Sequence, residues 1–333
     1  MDIGIDLGTA NVLISMEKKG IVLNEPSVVA FNKKTEEIIA VGAEADRMTG
    51  KTPDYIAVIR PLCDGVISDY NMNECMITEF IHRVMKRQMI MPRMIMCIPS
   101  SITDVESRAV VDAARAAGAR KIYLIEEPLA ALLGSGGDIS KPGGNMVIDI
   151  GGGTTDVAVV SMNGIVAKTS VKMAGNRLDS AIMKYISQKY HVLIGEKTAE
   201  LAKFTLTNVF DPTGSVKANI RGRHMLSGLP ASVEVSDMDI YEAIHGMTDD
   251  FITAVKDVLE QTPPELVGDI HTKGILMSGG GAMLGGLDKL LTKETGIHCY
   301  PADEPMTAVA KGASAAFRYI DQLLDGFVDV SLY

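Results

Sequence analysis

The chain has 333 residues, 47% hydrophobic and 22% charged, with a formal net charge of −10; at about 100–200 residues per domain this predicts two globular domains with ample core. The negative sum argues against nucleic acid as a partner, and four cysteines (Cys63, Cys75, Cys97, Cys299) without CxxC spacing predict reduced thiols in a cytosolic protein rather than a zinc site. No signal peptide precedes Met1-Asp2-Ile3, and no stretch reaches the roughly 18 consecutive apolar residues of a spanning helix.

The first element is an apolar strand, Ile3-Gly4-Ile5-Asp6-Leu7, which ends at an aspartate and a glycine. Small and hydroxylic residues follow (Thr9-Ala10-Asn11), then a strand reaching Ser15-Met16, a turn at Glu17–Gly20, and a third strand. Asn73–Gln88 places Met76, Ile77, Phe80, Ile81 and Val84 at helical spacing. Met94–Ile98 reads as a short strand. Thr103-Asp104-Val105-Glu106 is a capping box opening a helix to about Ala117, stopped at Gly118. Lys121–Ile125 is another strand, and Pro128 suits the first turn of the next helix.

Then the opening returns. Val147-Ile148-Asp149-Ile150-Gly151 leads into Gly152-Gly153-Thr154-Thr155, a strand ending at Ser161-Met162, an Asn163-Gly164 hairpin turn, and Ile165-Val166. Helices follow near Leu178–Tyr190 and Thr248–Glu260. The strand Ile275–Met277 runs into Ser278-Gly279-Gly280-Gly281 and another helix, and a last helix starts near residue 311. The repeat predicts an α/β fold made by internal duplication, a βββαβαβα core used twice. Domain I is expected over 1–141 plus 311–333, domain II over 142–310, with inserts at 29–61 and 178–241. A ligand belongs in the cleft between them.

A hairpin by itself needs no run of three glycines. Glycine is needed where backbone approaches something closely or takes positive φ, and successive exposed N–H groups there can cradle anionic oxygens. An aspartate just ahead of such a turn would repel bare phosphate. Asp6 and Asp149 therefore fit holding Mg²⁺ through its waters, with the two turns gripping one polyphosphate; a tight hairpin beside a crowded core is the alternative. Two look-alikes fail. Gly50-Lys51-Thr52 lacks the earlier glycine of a P-loop, since Ala45 stands there. Gly151–Asp156 mimics a dinucleotide fingerprint, but Asp156 replaces the last glycine and no helix opens.

In order and spacing, "DLGTAN", "IDIGGGTTD", "IEEPLAALLG" and "GILMSGGGAMLGGLDKLL" resemble the ATPase superfamily of actin, heat-shock chaperones and sugar kinases. "GIVLNEPSVVA", "AVGAEADRMTGKTP", "IRPLCDGVISDY", "LIGEKTAE", "IRGRHMLSGLP" and "TPPELVGDI" are similar to the MreB/Mbl bacterial actins, over about residues 2 to 320. The resemblance implies an actin-like two-domain ATPase fold with an interdomain nucleotide cleft and small inserted subdomains. It implies ATP and Mg²⁺ as cofactors, phosphate loops at Asp6–Asn11 (Thr9, Ala10, Asn11) and Asp149–Thr154 (Gly151, Gly152, Gly153), and an adenosine loop of Gly279, Gly280, Gly281, Ala282 and Met283. Glu200 and Lys203 match adenosine-side positions; without the family they read as a solvated i,i+3 ion pair. Glu127, ahead of Pro128, matches the carboxylate that orients the attacking water, and Thr154 the hydroxyl beside it. Strand alternation sends Glu126 to the opposite side. Ala202 and "GNRLDS" depart from the family pattern.

The superfamily admits a sugar-type kinase, a chaperone or a polymerising cytoskeletal ATPase. No sugar-acceptor segment is evident, and no peptide-binding domain is expected, which favours the third class. The resemblance implies a filament whose partners are further copies of itself, the inner face of the cytoplasmic membrane and the cell-wall elongation machinery, with no nucleic acid. "HRVMKRQMIMPRMIMCIP" (82–99) reverses the local charge around Met89, Ile90 and Met91. Those side chains either tuck into domain I or, as the family implies, touch the membrane.

Overall fold

The computed structural model describes residues 1–85, 91–322 and 325–330. Among these, two sheets dominate. In the first, the strands run in the order Phe327–Asp329, Lys121–Glu126, Arg93–Ile98, Asp2–Leu7, Asn11–Met16, Gly20–Pro26. In the second the order is Gly164–Val171, Thr155–Ser161, Asn145–Ile150, Ile275–Ser278, Cys299–Pro301. Each sheet has an aspartate-ending strand at its centre, an antiparallel hairpin on one side and parallel strands on the other. The sequence repeat is thus a topological repeat. Hairpins need only tight turns, whereas the parallel neighbours need helical crossovers, which explains the βββ opening followed by alternating helix and strand.

The crossovers carry their signals. Thr103 caps the helix Asp104–Ala116 by accepting the Glu106 amide at 3.3 Å, while Glu106 accepts the Thr103 amide at 2.8 Å. Pro128 sits in the first turn of Glu127–Gly134. Residues 29–61 make a small sheet (Ile38–Val41, Val29–Asn32, Ile56–Ile59) with the helix Ala43–Met48. Helices Gly175–Tyr190, Glu196–Leu206 and Asp237–Ile244 surround a second small sheet that includes Lys217–His224 and Pro230–Ser236.

Two elements differ from expectation. The second hairpin turns at Met162 and Asn163, with φ of 48° and 64°, because Ser161 pairs with Gly164 across the ladder. The two left-handed positions of the two-residue loop fall one residue earlier than the Asn-Gly dipeptide suggests. The tail is also not one long helix: Ala308–Ala315 is helical, a 3₁₀ turn follows at Ala316–Arg318, and Phe327–Asp329 adds a strand to the first sheet. The short helix packs on Glu127–Gly134 almost backbone to backbone. A methyl group at Gly312 would lie 1.7 Å from Ala130 O, and one at Gly134 1.9 Å from Ala308 O. The small residues of "LAALLG" and "KGASAA" permit this crossing, on the helix that Glu127 opens.

Candidate functional site

Both aspartate–glycine turns open into one cleft of about 150 Å³, lined by Asp6, Thr9, Ala10, Asn11, Glu127, Asp149, Gly151–Thr154, Glu200, Lys203 and Gly279–Gly281. It continues into a wider opening of about 690 Å³, flanked by Asp46, Arg60, Glu196 and Lys197. The turns touch each other. A methyl group on Gly153 would lie 2.4 Å from Thr9 Oγ1, and one on Gly152 would lie 3.0 Å from the Ala10 methyl. These glycines serve close approach rather than left-handed backbone, since none of the three has positive φ. The carbonyls of Gly151 and Gly152 accept the amides of Gly175 and Asn176 at 3.1 and 2.9 Å. In a trans peptide the following N–H points the other way, so the amides of Gly152 and Gly153 face away from that helix.

The carboxylates converge at the floor. Burial pushes the Asp6 carboxyl upward, and the charge of Asp149 adds to it. Asp149 is pushed up by burial against a hydrogen bond from Ser278, with Asp156 adding repulsion. Glu127 lies well above the usual range because of burial and the charges of Asp156, Asp149 and Asp6. Asp149 Oδ1 is buried with no hydrogen-bond partner. A divalent cation would relieve this like-charge crowding. Among the described residues no three His, Cys, Asp or Glu side chains gather closely enough to form a direct coordination shell, so the donor set fits an ion that keeps most of its waters, as Mg²⁺ does. Glu126 points away, as alternation requires, and its Oε1 accepts Lys168 Nζ at 2.6 Å.

The adenosine-side residues fare unevenly. Gly279, Gly280 and Gly281 line the cleft, whereas Ala282 is buried off it and Met283, 52% exposed, faces elsewhere. Gly281 is dictated by the sheet beneath: a methyl group there would meet Ile150 Cγ2 at 2.1 Å. Lys203 is not half of a solvated pair. It is 4% exposed, and its Nζ donates to Asp179 Oδ2 at 2.9 Å and to Gly175 O at 3.1 Å. Glu200 stays exposed at the rim. The i,i+3 rule named the wrong partner because the right one is on another helix. Also unforeseen are Asn176, Leu284, Pro305 and Met306 in the lining; none carries a sequence signal of its own. Of the apolar loop, Met89 and Ile90 lie outside the described residues, and Met91 is 60% exposed.

Two sheets of one plan, closing paired aspartate–glycine turns on a common cleft, define an actin-like protein. The ADP-bound crystal structure of MreB5 from Spiroplasma citri is 37% identical and superposes with a TM-score of 0.91 over 96% of each chain. A structure described as the MamK double helical filament shares the fold at 20% identity, with a TM-score of 0.81 over 95% of this chain and 98% of that one. The MreB/Mbl protein family model matches residues 1–325, and the cell shape-determining protein Mbl of Bacillus subtilis is 48% identical over 97% of both chains. The chain belongs to the MreB/Mbl family.

Proposed function

We propose that this protein is an ATP-dependent, filament-forming actin-like cytoskeletal protein that lies on the inner face of the cytoplasmic membrane and organises cell-wall synthesis to maintain a rod shape. The observation that carries the reading is the meeting of the two aspartate–glycine turns, Thr9–Ala10 against Gly152–Gly153, at a floor of buried carboxylates. Domain I (1–141 with 311–333) and domain II (142–310) then grip one nucleotide from both sides. Their relative angle is set by what fills the cleft, and that angle selects the subunit contact. A head-to-tail contact that does not close makes a filament.

Asp6 and Asp149 would hold Mg²⁺, which neutralises the phosphates and the charge that develops on them during transfer. Thr9, Ala10, Asn11 and the Gly151–Gly153 turn cradle the phosphates. Gly279–Gly281, Glu200 and Lys203 lie on the nucleoside side. Glu127 orients the water, with Thr154 beside it. Glu127→Ala should retain ATP and sedimentable assembly but slow phosphate release by on the order of 10²-fold, because the water contact acts mainly in the transition state. If ATP brings no sedimentable polymer while a sugar is phosphorylated, the kinase alternative replaces this reading.

Membrane contact rests on the charge reversal around residues 82–99 and on the exposure of Met91 beside them. No helix of the described residues is long and apolar enough to cross a membrane. Cations near an anionic surface contribute about 1 kcal/mol each and inserted apolar side chains at most about 1.5–3 kcal/mol. One subunit binds marginally, and a filament binds firmly by avidity. Met89→Ser with Ile90→Ser should abolish co-sedimentation with anionic liposomes and leave ATP-dependent assembly intact; undiminished liposome binding would remove the loop from this role.

A further inference from the structure

Asp156 is 0% exposed, near the start of the strand Thr155–Ser161. Residues two apart along a strand share a face, so its carboxylate stands on the same side as Thr154. Across the ladder it faces Asp149 on one side and Ser170 on the other. Its Oδ1 accepts the Ser100 amide at 2.7 Å. The pairing of Ile98 with Glu126 sets Ser100 one residue beyond the level of Glu127, so this hydrogen bond joins the two halves of the molecule beside the hydrolytic carboxylate. Asp156 Oδ2 is buried and has no hydrogen-bond partner, although the hydroxyls of Ser170 and Thr154 lie near enough to favour its anion.

The hairpin does not require a carboxylate here. In the first half, Asp6 pairs with Leu13, so a leucine fills the place that Asp156 takes opposite Asp149. The same turn therefore folds with an apolar neighbour. Like charges directly opposed on one face destabilise a sheet, and a buried oxygen without a partner adds to that cost. Costly charges beside a cleft point to function.

We propose that Asp156 is a positioning residue for the hydrolysis assigned above, on which this inference rests: its free Oδ2 accepts the Thr154 hydroxyl hydrogen, turning the Thr154 oxygen's lone pairs toward the attacking water. Asp156 touches neither nucleotide nor water; it acts through Thr154, and its hold on Ser100 keeps that pair at the level of Glu127.

The test is a double-mutant cycle on the full chain with Mg-ATP, reading single-turnover phosphate release and, by calorimetry, nucleotide affinity. Asp156→Asn should slow release at least about 10-fold while affinity stays within about twofold. In a Thr154→Val background, which already lacks the hydroxyl, the same substitution should change the rate less than about twofold. Multiplicative losses, or a rate that falls only in step with affinity (as for a metal ligand), overturn the proposal. If the asparagine variant does not fold, Asp156→Glu, which keeps the charge but displaces it by one methylene, replaces it in the same cycle. A parent protein that hydrolyses no ATP overturns the underlying reading, whereas hydrolysis with additive losses overturns only the role of Asp156.

Discussion

Asp149 shows at the scale of one side chain how stability and function oppose each other. Its carboxyl is buried opposite Asp156 and near Asp6, with one oxygen unpaired. A carboxyl raised in the native state binds more protons than it does unfolded, so without metal its contribution to stability is lost as pH rises from the ordinary carboxylate range. Asp149→Asn should accordingly raise the melting temperature of the nucleotide-free protein at pH 8 and weaken Mg²⁺-dependent ATP binding. Calorimetry and thermal unfolding on the same sample check both signs; a variant that binds Mg-ATP like the parent would remove Asp149 from the metal site. Lys203 makes the converse case. Lys203→Ala leaves Asp179 buried without its ammonium partner, and the loss should be about 2–3 kcal/mol in urea unfolding. That is near the low end for a broken buried pair, because Asp179, already pushed up by burial, can take up a proton. Asp179→Leu added to Lys203→Ala should recover part of it.

At the scale of elements, the helix Asp237–Ile244 gives a pH-dependent prediction. Asp239 closes a capping box, accepting the Ser236 amide and hydroxyl at 2.7 Å each, and also accepts Lys189 Nζ at 2.6 Å and Tyr190 Oη at 3.0 Å. Burial works against the carboxylate, but these donors outweigh it and hold the carboxyl down at about 2. The shift from 3.8 represents roughly 2 kcal/mol, fully present above the unfolded value and lost as pH falls through about 2. Asp239→Asn should thus cost about that much at pH 7 and almost nothing near pH 2, measured by denaturant unfolding across the range. Helix starts, strand positions and the doubled opening were legible because they follow from local chemistry: caps, alternation, and an aspartate followed by glycine. The same logic singled out Asp6 and Asp149, whereas Glu127 and Thr154 were named only through the family resemblance; all four line the cleft. That logic failed where a partner is distant in sequence, as for Lys203 with Asp179, and where register decides, as at Met162–Asn163. The broken tail helix was hidden for the same reason, since Phe327–Asp329 becomes a strand only because Lys121–Glu126 offers it an edge.

On the scale of the whole molecule, the halves are fastened at several depths. Asp156–Ser100 sits at the buried carboxylates, Glu126–Lys168 runs from there toward the surface, and within the first half the tail helix crosses Glu127–Gly134 with no space for a side chain. Gly312→Val should therefore destabilise the chain by several kcal/mol, as overpacking against backbone cannot relax, and should disturb hydrolysis through Glu127; an unchanged melting temperature would show that the crossing yields. At the mouth the fastening is lighter. Lys197 Nζ reaches Asp46 Oδ2 at 2.6 Å from one inserted subdomain to the other, with both side chains partly in water. Such a pair contributes about 0.2–1 kcal/mol, comparable to thermal energy. A pair of that strength can act as a revolving door rather than a lock for a nucleotide in the cleft. On the proposed nucleotide-binding reading, exchange of ADP should then quicken as salt screens the pair, and Lys197→Ala should make the exchange rate nearly indifferent to salt.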